Sequence, residues 1–294
     1  MGKASRRPRG RRALAGGPAS VPFVARPFEG LPGETDWVAI REILPAATGV
    51  VRYAPGQAPE GAPATVTIAS VLPMAWVGMR RAGGAVMVGA QSGGASGDAS
   101  RDLAAAMLEA STAAEGVPVQ RVPTPTVDMP RLQDLIDTSV SFEVTVHDGF
   151  DFWVAGSELD AEGQASLDRA NESAIPTVRV EGAPSVYWCR IAERAYIRWI
   201  LPYDEDAATA ALARLHAAGR SRLDPESRLL GAFRACGLLV PVWELDPRRL
   251  PADHADSIAA MALALDTAVR TPGELSPDER RARAGLLNRQ VTLR

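Results

Sequence analysis

Apolar residues in this chain arrive in short bursts, and the longest unbroken one, at 258–265, is eight residues long and mostly alanine. A bilayer-spanning helix needs about 20 apolar residues in a row, so no segment is predicted to cross a membrane. Instead, period-2 alternation and helical spacing follow one another, punctuated by glycine and proline. That mixture predicts an α+β fold, with antiparallel hairpins packed against helices. With 46 % hydrophobic and 23 % charged residues, the 294-residue chain has enough apolar material for one large domain or two modest ones.

The punctuation places the elements. A turn at Leu31-Pro32-Gly33 precedes a helix capped by Thr35 or Asp36, with Trp37, Ile40 and Leu44 on one face and Pro45 as its stop. Residues 54–63 read as a loop. Strands are predicted at 65–71, 74–80 and 85–91, with Gly83-Gly84 turning between the last two. A glycine-rich loop at 93–97 opens a helix over 98–114, and a proline-rich loop leads to a short helix over 131–136. The runs 142–147 and 150–154 flank Asp148-Gly149, a dipeptide suited to the positive φ of a two-residue hairpin turn. A helix follows at 160–173. Beyond it come a strand from Thr177, a hairpin of 186–191 with 196–201, and a helix over 204–217. Then come a helix over 225–236 closed by Gly237, a strand at 238–245, and terminal helices near 252–269 and 277–287.

Residues 64–90 overlay residues 176–202 at a constant offset of 112, setting Thr65-Val66 on Thr177-Val178 and Trp76 on Trp188. The expectation is two tandem related α/β halves, at 22–174 and 175–294, each an α-β-β-β-α-α-β unit. Chance resemblance between two common arrangements is the competing explanation.

Charge is distributed unevenly. Lys3, Arg6, Arg7, Arg9, Arg11 and Arg12 stand in the first twelve residues without an acid, while the rest of the chain has nine more acids than bases. Pro8, Gly10, Gly16, Gly17 and Pro18 argue against a helix or core there, so 1–21 is predicted to be a disordered basic tail. Such an arm suits RNA, DNA, a ribosomal surface or another acidic partner; the plainer reading is a tail that only aids solubility. No apolar segment follows the bases as a secretory signal requires, and two cysteines, Cys189 and Cys236, make no disulfide framework or zinc motif. A cytoplasmic protein with reduced thiols and no metal or cofactor is expected.

Five runs carry a resemblance to a known group: Arg26-Pro-Phe-Glu-Gly-Leu-Pro-Gly-Glu-Thr-Asp-Trp-Val38, Val71-Leu-Pro-Met-Ala-Trp76, Ser96-Gly-Asp-Ala-Ser-Arg-Asp-Leu103, Phe233-Arg-Ala-Cys-Gly-Leu-Leu-Val-Pro-Val-Trp243 and Asn288-Arg-Gln-Val-Thr-Leu293. From about residue 22 to its end the chain resembles an actinobacterial family of uncharacterised proteins, filed as a domain of unknown function. The resemblance implies a bacterial cytoplasm and supplies no activity. Relatives in that family resemble carriers of a cysteine-histidine zinc module of the SEC-C type ahead of the body. Here no cysteine precedes Cys189, and the basic arm stands in the module's place.

Chemistry-bearing groups are sparse. The loop from Gln91 to Asp98 joins a strand to a helix, where a phosphate can rest on free N–H groups. It lacks Gly-Lys-Ser/Thr and Gly-x-Gly-x-x-Gly, and Asp98 with Asp102 repels anions, so a capped helix start is the better reading. His147 at the hairpin turn is expected to face Phe150 with Asp151 on the opposite side. Cys236, at a predicted helix end, is poorly placed for activation, and Asp204, Glu205 and Asp206 suit a helix start.

Trp188, Arg190, Arg198, Trp199 and Tyr187 share one predicted hairpin, with Trp243 on a later strand. Arginine beside indole stacks bases or holds a peptide, and it also occurs on half-buried sheets whose arginines snorkel outward. The candidate binding residues are therefore the six bases of the arm with Trp188, Arg190 and Arg198. The sequence leaves two classes of function: a non-catalytic binding or adaptor protein, or an enzyme with a pocket between the halves near Asp98, Arg101 or the Trp188 hairpin.

Overall fold

The computed structural model describes residues 21–91, 96–156 and 159–288. The six bases of the arm lie outside them. The fold is α+β, with seven α-helices and two sheets among the described residues.

The first helix, α1 (Glu34–Glu42), buries Trp37, Val38, Ala39 and Ile40 in succession, so it is enclosed on nearly every side. Trp37 stacks between Phe28, at 5.8 Å, and Phe142, at 3.9 Å. Six strands follow around it: β1 (Ala47–Arg52), β2 (Thr65–Ala69), β3 (Gly78–Arg80), β4 (Val86–Gly89), β5 (Pro118–Val119) and β6 (Val144–Val146). Their order across the sheet is β5-β3-β4-β2-β1-β6. β2 and β4 run parallel and every other pair is antiparallel. Helices α2 (Ala99–Thr112) and α3 (Leu132–Leu135) lie between β4 and β6 in the chain, and α2 packs on β3 and β4.

After α4 (Ala161–Ser173) the chain builds an antiparallel sheet of five strands. These are β7 (Thr177–Arg179), β8 (Val186–Ile191), β9 (Arg194–Trp199), β10 (Arg228–Ala235) and β11 (Leu238–Leu245), in the order β10-β11-β9-β8-β7. One face, with Trp188, Ile197, Trp199 and Trp243, is covered by α5 (Glu205–Ala217), α6 (Ala255–Arg270) and α7 (Pro277–Asn288). Tyr187, Ile200, Leu238 and Val240, on its other face, enter the same core as α1, α2 and the first sheet. The two halves thus share one buried interior.

Two sequence expectations are corrected. Residues 228–235 form β10, because Cys236 and Gly237, at φ 45° and 80°, make a left-handed two-residue turn that folds 228–235 back on β11. The expected 142–154 hairpin does not form: Gly149 stays outside the left-handed range, Phe150 N donates to Asn171 Oδ1 of α4 at 2.7 Å, and 151–153 is a 3-10 turn. His147 instead shares a 2.8 Å hydrogen bond with Thr48 Oγ1. β1 was not foreseen, and with the parallel β2–β4 pair it makes the first sheet mixed. The two sheets differ in strand order, and Trp76 lies outside the strands whereas its counterpart Trp188 is within β8.

Candidate functional site

The junction is held by a buried carboxylate. Asp36, 3 % exposed, accepts from Val144 N at 3.1 Å, Ser185 Oγ at 2.6 Å, Tyr187 OH at 3.2 Å and Arg179 Nη2 at 2.9 and 3.0 Å. These donors fill its lone-pair positions, leaving the site to structure rather than to proton transfer. The Tyr187 phenol is pushed above its ordinary range by burial and by Asp36, so it stays a neutral donor.

Where the end of α1 meets the β10–β11 hairpin opens a cleft of about 490 Å³. Its walls are the extended segment 23–27, the end of α1 (Arg41, Glu42), the start of α2 (Gly97, Ala99, Asp102), Glu205 of α5, and Arg234, Cys236 and Gly237 at the tip of the β10–β11 hairpin. Two glycines, one from each half, admit the segment. At Gly97, φ +98°, an added Cβ would lie 3.3 Å from Phe23 Cα, and Val24 N donates to Gly97 O at 2.8 Å. At Gly237, φ +80°, a Cβ would lie 2.8 Å from Ala25 O. Beyond the cleft, Pro27 O accepts from Arg131 and Gln133, at 2.8 and 2.9 Å.

Each charged side chain of the cleft has a partner within the chain. Arg41 donates to Ala90 O at 2.6 Å and lies 3.3 Å from Glu42; Arg234 pairs with Glu205. The Asp102 carboxylate accepts from Ser96 N at 3.3 Å, and burial raises its pKa. The Cys236 thiol donates to Glu42 Oε1 at 3.6 Å and is pushed up to about 12, by burial first and then by that carboxylate. A thiol so held is a weak nucleophile.

The sequence candidates are distributed differently. Asp98 is the α2 N-cap, accepting from Ser100 N at 3.1 Å and from Arg131 Nε at 2.8 Å, and Arg101 donates to Val127 O, so neither lines the cleft. Trp188, 6 % exposed, is core, with the Arg190 guanidinium 5.4 Å from its ring centre and donating to Pro247 O. Arg198 pairs across strands with Tyr187, on the opposite face, and its charge lowers the Cys189 pKa against a larger rise from burial. The hairpin therefore presents no single surface carrying Trp188, Arg190 and Arg198. His147, His216 and His254 are scattered, and no group of three metal-ligating side chains occurs among the described residues.

The walls of the cleft come from residues far apart in the chain, and Gly237 after Cys236 mimics a helix cap, so no local pattern marks it. A signal existed, since Pro27, the start of α2 and the hairpin tip all fall within the runs that carry the family resemblance. A model described as a family of unknown function (DUF5926) matches residues 27–294. The chain belongs to that family. None of the curated proteins and none of the solved structures matches it. The family match takes in the whole cleft except Phe23, Val24 and Ala25. No helix of the described residues is long and apolar enough to cross a membrane.

Proposed function

We propose that this DUF5926 protein is a non-catalytic, cytoplasmic binding or adaptor protein. Its cleft holds a partner, and its basic arm grips RNA, the ribosome or another acidic surface. One observation carries the reading: residues 23–27, which continue from the arm, are themselves a wall of the cleft. The arm, with Lys3, Arg6, Arg7, Arg9, Arg11 and Arg12, joins the body next to that wall. The internal pairing of the cleft's charges and the neutral thiol of Cys236 support holding over bond-making. Clustered arginines supply sequence-independent affinity for phosphates.

The test is recovery from a native bacterial lysate at moderate salt, comparing the full chain with a form lacking residues 2–20, with and without nuclease. Nucleic acid or ribosomal protein that is lost on either treatment supports the arm as the contact; equal recovery in all four samples removes it. An enzyme with its site between the halves is the second reading, favoured by Asp102, a nearly buried carboxyl facing the cleft with a raised pKa. A thermal-shift screen against metabolites separates the two: a hit abolished by Asp102→Asn moves the assignment to the enzyme.

A further inference from the structure

Glu279, in the first turn of α7, lines a groove with Arg214 and Ala218 at the far end of α5, whereas Arg283 pairs with Asp206 in the α5 first turn. α7 therefore runs antiparallel to α5 and also packs on β10, with Leu286 buried in the core beneath. Its last residue, Asn288, leaves at the α5 N-terminal end, where Glu205 and Arg234 form one rim of the cleft. Six further residues follow, Arg289-Gln-Val-Thr-Leu-Arg294. Extended, they reach about 20 Å, ample to enter the cleft from that rim.

We propose that residues 289–294 of this chain dock in the cleft, laying Val291 and Leu293 against its apolar wall. In an extended segment these two share one side, opposite Gln290, Thr292 and Arg294. The wall they meet is Phe23, Val24, Ala25, Ala99 and Cys236, and Phe23 is left 81 % exposed by the described residues. Burial of that surface drives the docking. Charge agrees with it. The segment has two arginines and no acid, while its route passes Asp204, Glu205 and Asp206 and ends beside Glu42 and Asp102. The cleft's own bases, Arg41 and Arg234, are already paired. The segment and an external partner then compete for one surface, whatever the arm binds.

Cys236 reports on occupancy, because it is partly exposed in the cleft whereas Cys189 is buried. The experiment is native maleimide labelling, read by mass spectrometry, of the full chain, a form lacking 289–294, and the double variant Val291→Asp/Leu293→Asp. Cys236 is expected to label at least fivefold faster in both altered forms, with Cys189 silent as the sign of an intact fold. A peptide of residues 287–294 added to the truncated form restores protection. Equal rates in all three overturn the proposal, and protection that falls on dilution of the full chain assigns the site to a second copy instead. Leu293→Cys in the full chain gives a reading free of any folding defect: mild oxidation is expected to form an intramolecular disulfide with Cys236, and failure to trap it counts against docking.

Discussion

Arg179 reaches Asp36 across 143 residues of chain and places one guanidinium nitrogen 2.9 and 3.0 Å from its two carboxylate oxygens. Through this contact the first strand of the second sheet is fastened to the helix at the centre of the first half. Asp36→Ala takes the acceptor from Tyr187, the carboxylate partner from Arg179 and one of two partners from Ser185, and a buried donor left unsatisfied costs about 1–3 kcal/mol. Urea denaturation is expected to show that loss as a single earlier transition for both halves, because they share a core. Arg179→Met leaves the Asp36 carboxylate buried without its cation and costs about 3–5 kcal/mol. Similar midpoints for Asp36→Ala and wild type would remove the clamp from the account.

Gly237→Ala places a methyl against Ala25 O from a left-handed backbone position. That strain costs about 1–3 kcal/mol and displaces segment 23–27 from the cleft wall. Chymotrypsin is expected to cut after Phe23 faster in this variant; an unchanged rate would mean that the hairpin tip does not retain the segment.

Much of the second half was legible in the sequence. A hairpin of 186–191 with 196–201 is legible, and the structure forms it as β8 with β9, whose strand lies two residues earlier, each strand burying one face under helices and the other toward α1. β10 was not legible: Leu229, Leu230 and Phe233 fall at spacings a helix also allows, and Gly237 mimics a helix cap. Only pairing with β11 decides the matter. β1 is short and contains Gly49, whose space is taken by the Phe142 ring from a distant segment. The cleft was illegible for the same reason, since its walls are neighbours only after both sheets have formed.

Trp188→Ala separates core from binding surface at the residue on which the sequence left both open. Removing a buried indole costs about 3–5 kcal/mol, visible as a lower denaturation midpoint. Affinity for RNA is expected to be unchanged while the variant remains folded. A specific loss of affinity without loss of stability would return Trp188 to the binding surface.

His254 is fully buried beside Asp224, with Arg249 and Asp253 also facing it, and burial and Arg249 lower its pKa while the carboxylates oppose them. The folded-state value lies below the unfolded one of about 6.5. The stability gained by keeping the imidazole neutral is therefore present above that pH and lost as the pH falls through it toward the folded value. Denaturation midpoints measured from about pH 8 to about pH 5 are expected to fall more steeply in wild type than in His254→Gln. Parallel profiles would show that His254 titrates alike in both states.

The salt dependence of single-stranded RNA binding tests the proposed role of the basic arm as a nucleic-acid contact. Full engagement of six bases predicts a slope of about −4 in log affinity against log salt, and removal of residues 2–20 should abolish both the slope and most of the affinity at moderate salt. An identical affinity and slope in the two forms would rule out the arm as the contact and leave the cleft as the protein's functional surface.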